Sequence, residues 1–136
     1  MKKNIQFESL ILMFLLLLTA GCKKAEVRTD PRKTILGKWE IIQKGNWPDM
    51  ETSIATGYTE YCQDSVIRFF DYKSNQYISN DKYYLSDAIM YIYYKREDGF
   101  MVPIEYKYEF FNDNQNLRLD IQAFAITNTC IYKRIK

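Results

Sequence analysis

Histidine is absent from this chain of 136 residues. Its absence excludes Ser–His and Cys–His nucleophiles and removes the commonest metal-binding side chain. The chain also lacks a Cys-x-x-Cys pair and a glycine-rich phosphate loop. Two carboxylate pairs, Glu97-Asp98 and Asp49 with Glu51, fall in predicted turns or loops, where solvated side chains are expected. We therefore predict no catalytic residues, no metal site and no cofactor, with a carboxylate-only enzyme as the alternative.

A strong charge imbalance and a membrane-spanning apolar run are also missing. The 19 Lys and Arg residues nearly balance the 17 Asp and Glu residues, and no clustered basic face suggests a nucleic-acid partner. The apolar run at residues 10–18 is too short to cross a bilayer, which takes about 20 apolar residues. It follows Lys2 and Lys3, and a positive start before a short apolar run is typical of an export signal.

The run ends in Leu18-Thr19-Ala20-Gly21-Cys22, which resembles the lipobox of bacterial lipoproteins. The resemblance implies that residues 1–21 are a cleaved signal peptide and that Cys22 becomes the N-terminus, acylated with groups such as palmitate. It therefore implies a lipid-anchored protein of the bacterial cell envelope. Because Lys23 rather than aspartate follows the cysteine, it implies the outer membrane and leaves its periplasmic and outer faces open. An uncleaved membrane helix and a buried core helix are the alternatives.

Residues 22–34 are predicted to be a flexible, lipid-anchored tether. They are charged, contain Pro31 and have almost no large apolar residues. Their basic residues outnumber the acidic ones, which leaves weak attraction to anionic headgroups and a plain solvated spacer as two interpretations. Residues 35–136 form the predicted domain, which is long enough for one core and too short for two.

Two cysteines remain once Cys22 is assigned to the lipid. Export places the protein in an oxidising compartment, where cysteine pairs commonly form disulfides. We therefore predict a disulfide between Cys62 and Cys130, with two separate buried thiols as the alternative.

Alternation of apolar and polar residues predicts that the domain is all-β. Ile104, Tyr106, Tyr108 and Phe110 share one face of a strand, and Leu117, Leu119 and Ile121 share one face of the next. Further strands are predicted at residues 36–43, 58–62, 65–70, 76–79, 82–85, 88–95 and 129–135. Turn residues separate them at 71–75, 80–81, 86–87, 98–99, 112–116 and 127–128. Short connections favour an antiparallel up-and-down β-barrel of about eight strands, with a β-sandwich as the alternative.

Residues 44–56 are the longest predicted irregular stretch of the domain. Long loops often carry function, and this one contains Trp47 and Pro48. Three interpretations of Trp47 are open: it caps the mouth of the barrel, it covers the end of the core, which we favour, or it lies exposed as a contact for a partner.

The first strand carries a second resemblance. Gly37-Lys38-Trp39, within residues 35–41, is similar to the Gly-x-Trp first strand of lipocalins and of bacterial lipocalin-like lipoproteins. The resemblance implies a lipocalin-like barrel in which the indole of Trp39 closes one end. It also implies that a basic residue of the last strand, Arg134 or alternatively Lys133, lies across that ring, as a cation–π pair.

The lipocalin resemblance implies a small apolar or amphipathic ligand inside the barrel. The predicted lining consists of the inward-facing residues Trp39, Phe69, Tyr106, Tyr108, Phe110 and Leu119. If the barrel is instead filled by its own side chains, the alternative is a protein–protein interaction module or a periplasmic enzyme inhibitor. In that case its contacts would come from Trp47, Pro48 and Met50, and the partner is unknown.

Overall fold

The computed structural model describes residues 29–122 and 128–136. These residues form one short helix, α1 (Pro31–Thr34), and nine strands. The strands are β1 (Gly37–Asn46), β2 (Asp49–Thr52), β3 (Gly57–Tyr61), β4 (Val66–Asp71), β5 (Gln76–Leu85), β6 (Ile89–Lys95), β7 (Met101–Phe111), β8 (Asn116–Ile121) and β9 (Thr129–Ile135). The predicted all-β fold class is confirmed.

The sheet closes on itself. Neighbouring strands are antiparallel and follow the order of the chain, and β1 also pairs with β9. The second edge of β1 pairs with β3 over residues 37–39 and with β2 over residues 43–46. Strands β1 and β3 to β9 therefore make a barrel-like ring of the predicted up-and-down kind, and β2 extends the sheet beside it.

Alternation along the strands decides which side chains fill the ring. In β8, Leu117 and Leu119 are buried, while Arg118 between them faces the other side. Apolar residues of the same parity on the other strands complete the core: Trp39, Tyr61, Ile67, Tyr83, Leu85, Met90 and Ile92, with Tyr106, Tyr108, Phe110 and Tyr132 packed against it. The period-two pattern of β7 and β8 thus identifies the inner and outer faces correctly.

Turn chemistry places most of the connections. Asn75 and the three residues 112–114 have positive φ, a conformation that Asn and Asp tolerate better than most residues. Gly99, with φ +87°, lies between β6 and β7, where Asp98-Gly99 predicts a hairpin. The turns predicted at 71–75, 98–99 and 112–116 are confirmed.

Two local predictions are wrong. Asn80 and Asp81 form no turn, because they pair with Arg68 and Ile67 inside the continuous strand β5. Residues 44–52 are not an irregular loop, because β1 continues to Asn46 and turns back through Trp47 and Pro48 into β2; only residues 53–56 are irregular. In both places, pairing with a neighbouring strand overrides the local preference for a turn or loop.

One end of the ring, which we call the capped end, is closed by the segment before β1. Asp30 caps α1 by accepting a hydrogen bond from the backbone N–H of Arg32 (3.0 Å). Residues 31–34, assigned to the tether from sequence, are therefore helical, and Thr34 is buried against the domain. The turns at 62–65, 86–88 and 112–115 lie at this same end, because the strands run alternately up and down.

Trp39 and Arg134 complete the capped end. The indole Nε1 of Trp39, which is fully buried, donates to the carbonyl of Ile35 (2.7 Å). The guanidinium carbon of Arg134 lies 4.3 Å from the centre of the Trp39 ring, so the predicted pair is present and involves Arg134 rather than Lys133. Gly37 adopts φ +115°, and a Cβ there would lie 3.2 Å from Nη1 of Arg134. Glycine therefore meets both the backbone and the packing demands of this position.

Candidate functional site

A cleft of about 510 Å³, partly open to solvent, lies on the outer face of the ring. Its position follows from strand parity: Arg118 lies between two core leucines, and its cross-strand partner Ile131 pairs in turn with Gln43 of β1. These three residues therefore point away from the core. The cleft is lined by Ile42, Gln43, Trp47, Glu109, Phe111, Asn116, Arg118 and Ile131.

A bulge in β1 shapes one wall of the cleft. The register with β9 shifts between Ile41, which pairs with Tyr132, and Gln43, which pairs with Ile131. Ile42 is the extra residue, and its carbonyl accepts a hydrogen bond from the backbone N–H of Ser53 (2.9 Å). The bulge allows two consecutive residues, Ile42 and Gln43, to line the same cleft.

The hairpin of β1 and β2 carries Trp47 over the cleft. At Gly45 a Cβ would lie 2.3 Å from the carbonyl oxygen of Asp49, so the two strands approach too closely for a side chain there. The backbone N–H of Asn128 lies within hydrogen-bond distance of the Gly45 carbonyl (3.2 Å) and of Oδ1 of Asn46 (3.3 Å). These contacts tie the hairpin to the start of β9.

Trp47 is 55% exposed, so the interpretation that it covers the core is wrong. Its ring centre lies 4.2 Å from the guanidinium carbon of Arg118, a distance at which the cation is attracted to the ring face. Trp47 therefore forms a wall of the cleft.

Arg118 is held in place by carboxylates. Its Nε and Nη2 lie 3.1 and 2.9 Å from the two oxygens of Asp120, a bidentate pair. Thr129 donates to the same carboxylate (2.5 Å). Nη1 points toward Glu109, whose nearest oxygen is 4.0 Å away. Asp120 thus compensates the charge of Arg118, and Glu109 adds a second negative charge at the cleft.

The floor of the cleft is apolar and buried. Ile131 is only 5% exposed although it faces outward. Asn116 lies beside it with its amide satisfied, because Nδ2 donates to the carbonyl of Tyr132 (3.3 Å) and Oδ1 accepts from Asn112 (2.9 Å). Phe111 is 39% exposed and supplies a second aromatic surface.

The six residues predicted to line a ligand site lie apart from this cleft. All face the inside of the ring, where Trp39 is fully buried and Leu119 is 4% exposed. Phe110 lies between Trp39 and Tyr108, with ring centres 6.1 and 5.7 Å away. Phe69 packs across Gly57, where a Cβ would lie 2.8 Å from its ring. The prediction that Trp39, Phe69, Tyr106, Tyr108, Phe110 and Leu119 bind a ligand stays a prediction.

Tyrosine hydroxyls gather inside the ring. The hydroxyls of Tyr94 and Tyr106 lie 3.3 Å apart. Burial, more than any other cause, raises the pKa of Tyr61, Tyr106 and Tyr132 well above its usual value. These phenols therefore stay protonated at physiological pH and act as hydrogen-bonding groups.

The predicted disulfide is wrong, because Cys62 and Cys130 are both free. Cys62 follows Tyr61, which pairs with Gly37 at one end of β1, whereas Cys130 pairs with Lys44 near the other end. Seven residues of strand separate these points, which is roughly 23 Å, whereas a disulfide needs Cα atoms within about 7 Å. Cys62 instead lies 3.3 Å from Nη2 of Arg68.

Other classes of site were sought over the same ranges of the chain. Residues 29–122 and 128–136 contain no group of three or more acidic or cysteine side chains placed to hold a metal. Nor do they contain a helix with the length and hydropathy that a membrane crossing requires. Cys22 and the predicted signal peptide lie outside the described residues.

The chain matches no protein-family model and no curated protein. The lipoprotein and lipocalin resemblances therefore rest on the motifs around Cys22 and Trp39 alone, and they remain predictions.

Proposed function

We propose that this protein is a lipid-anchored protein of the bacterial cell envelope that binds a small amphipathic ligand in the outer cleft beside Trp47. The observation that carries the ligand site is the cleft itself. Its volume of about 510 Å³ lies within the range of small-molecule sites. Ile42, Ile131, Trp47 and Phe111 offer an apolar surface, and polar groups face the same space. The envelope location is supported by the lipobox that ends at Cys22.

This proposal differs from the sequence-based expectation in where the ligand lies. The lipocalin resemblance implies binding inside the barrel, but the inner face carries the packed core around Trp39, Leu117 and Leu119. The cleft is open to solvent and needs no rearrangement of that core. A ligand could therefore reach Trp47 without unfolding the capped end.

The two tryptophans of the chain make the proposal testable. Trp39 is fully buried and Trp47 is 55% exposed, so acrylamide quenching of fluorescence reports mainly on Trp47. We expect molecules extracted from the cell envelope to protect Trp47 from quenching. Replacing Trp47 with alanine should reduce the amount of co-purifying ligand, measured by mass spectrometry, by about tenfold or more, as for a central aromatic contact.

Tyr84→Ser is the matched control, because Tyr84 is 53% exposed on a different part of the outer face. It should leave ligand recovery unchanged. If no extracted molecule protects Trp47, and if Trp47→Ala recovers the same molecules as the wild type, the cleft is not a ligand site.

A second candidate function, contact with a protein partner, is favoured by the tip of the β6–β7 hairpin. We define this tip as Phe100, Met101 and Val102. These three side chains are 72%, 46% and 37% exposed, respectively. It lies at the end opposite the capped end, because β7 runs from the tip to the turn at 112–115. Asn114 in that turn contacts Thr29 (3.3 Å), so the tip and Thr29 lie at opposite ends of the ring.

Phenylalanine and methionine are enriched where proteins meet, so we expect Phe100→Ser to remove partners that crosslink to this protein in whole cells. Tyr84→Ser again serves as the control and should leave them in place. Crosslinked partners that are the same in wild type and Phe100→Ser would rule out the tip as the contact.

A further inference from the structure

The charges around the cleft disfavour an anionic ligand. Arg118 is the one basic residue of the lining, and the bidentate pair with Asp120 already compensates its charge. Glu109 adds a negative charge, and 66% of its side chain is exposed. Among the ion pairs of the described residues, its one partner is Arg118, at 4.0 Å. A carboxylate or phosphate entering the cleft would therefore find the fork of Arg118 already bonded to Asp120 and would meet the charge of Glu109 beside it.

The polar groups of the lining also disfavour a purely apolar ligand. Nη1 of Arg118 has its nearest carboxylate oxygen at 4.0 Å, which is beyond hydrogen-bond distance. Within the described residues, the side-chain amide of Gln43 makes no hydrogen bond. A hydrocarbon chain would strip water from these donors and offer nothing in return, which is costly. A well-matched ligand must therefore carry several uncharged donors and acceptors.

The aromatic side chains restrict the ligand further. Trp47 and Phe111 present flat surfaces to the same cleft, and the face of an aromatic ring is electron-rich. The C–H groups on one side of a sugar ring carry a slight positive charge and pack well on such a face. The hydroxyls around the same sugar ring both donate and accept, as Gln43, Arg118 and Glu109 require.

We infer that the outer cleft binds a short neutral oligosaccharide. A sugar ring packs on Phe111 or on the face of Trp47 that Arg118 leaves free. Nη1 of Arg118 and the amide of Gln43 donate to its oxygens, and Glu109 accepts from a hydroxyl. This inference rests on the proposed function, since it names the ligand class of the same cleft. The ligand class follows from two observations: Asp120 compensates the charge of Arg118, and Nη1 of Arg118 and the amide of Gln43 remain available as donors.

The test titrates the full-length protein in detergent with chitotriose, maltotriose, cellotriose, the anionic trigalacturonate and the fatty acid laurate. Acrylamide quenching of Trp47 is the readout. We expect at least one neutral trisaccharide to protect Trp47 in a saturable way, and trigalacturonate and laurate to give no protection. Arg118→Lys should weaken sugar binding about tenfold, because lysine loses the planar fork that bonds Asp120 and the sugar together.

Arg96→Lys is the matched control, because Arg96 also pairs with an aspartate, Asp98 (3.1 Å), but lies in the β6–β7 turn. Its sugar affinity should equal that of the wild type, and thermal unfolding should show that both variants are folded. Protection of Trp47 by laurate or trigalacturonate alone would overturn the sugar inference and leave the cleft as a ligand site.

An envelope extract separates the remaining outcomes. If the extract protects Trp47 and no trisaccharide does, mass spectrometry of the bound molecule decides. A neutral glycan supports the inference, and any other molecule overturns it while the proposed function stands. If neither the panel nor the extract protects Trp47, both fail.

Discussion

Replacing Arg134 with alanine is expected to lower the free energy of unfolding by about 3 kcal/mol. The guanidinium stacks on Trp39 at 4.3 Å and donates to three backbone carbonyls, those of Thr34, Leu36 (2.7 Å) and Asn114 (3.4 Å). One side chain thus joins the segment before β1 to the turn at 112–115. Without it, these carbonyls lose a charged donor and the buried indole loses its cover. Urea unfolding followed by circular dichroism measures the change.

Lys133→Ala is the matched control, because Lys133 is the exposed basic neighbour on the same strand. Its effect should stay within about 0.5 kcal/mol, as for most surface substitutions. Arg134→Lys keeps the charge but loses the fork that reaches several carbonyls, so it should fall between the two. It also provides a measurement if the alanine variant does not fold. Equal stabilities for Arg134→Ala and Lys133→Ala would contradict the role assigned to the capped end.

The ring pair at the capped end was predictable because Gly37-Lys38-Trp39 resembles the first strand of lipocalins, in which a basic residue of the last strand lies across the tryptophan. Helix α1 at the same end was not predicted, because its residues look like part of a charged tether. A glycine two residues before a tryptophan, in the first alternating segment, indicates a close backbone approach and a large ring at one end of the sheet. The last strand offers only Lys133 and Arg134 as basic partners, and registry with β1 chooses between them: Arg134 pairs with Trp39, while Lys133 pairs with Glu40 on the outer face.

The cleft was not predictable in the same way. Its wall depends on a bulge at Ile42 and on a hairpin whose strand β2 pairs only four residues, and neither has a clear local pattern. One signal was available: Ile131 is a large apolar residue at an outward position between Cys130 and Tyr132. A large apolar residue on the outer face needs another side chain to cover it. Trp47, whose position the sequence left open, lines the same cleft as Ile131.

The disulfide failed for a topological reason. Two remaining cysteines in an oxidising compartment suggest a disulfide, but only the registry of the strands determines how far apart the two cysteines lie. Cys130 lies on β9 and Cys62 directly follows β3, and both strands flank β1, which brings the two cysteines close in the order of the sheet. However, Cys62 lies near the start of β1 and Cys130 near its end, so the length of β1 keeps them apart.

Truncating Leu117 to alanine is expected to cost about 3 kcal/mol of unfolding free energy, within the usual range for a buried leucine. Leu117 is fully buried among Trp39, Phe110 and the other inner side chains, so its loss leaves a cavity that a closed ring of strands cannot easily collapse. Ile54→Ala, at a residue that is 90% exposed, is the control and should change stability by less than about 0.5 kcal/mol. Denaturant unfolding of both variants measures the difference.

The size of the Leu117 effect also separates the two places where a ligand could bind. If the inside of the ring is a packed core, truncation carries the full cavity cost, and ligand binding at Trp47 on the outer face is unaffected in the folded variant. If the inside instead holds an open ligand space, Leu117 borders that space, few contacts are lost, and the cost falls below about 1 kcal/mol. A small cost combined with weaker ligand recovery would move the binding site from the outer cleft to the interior that the lipocalin resemblance implies.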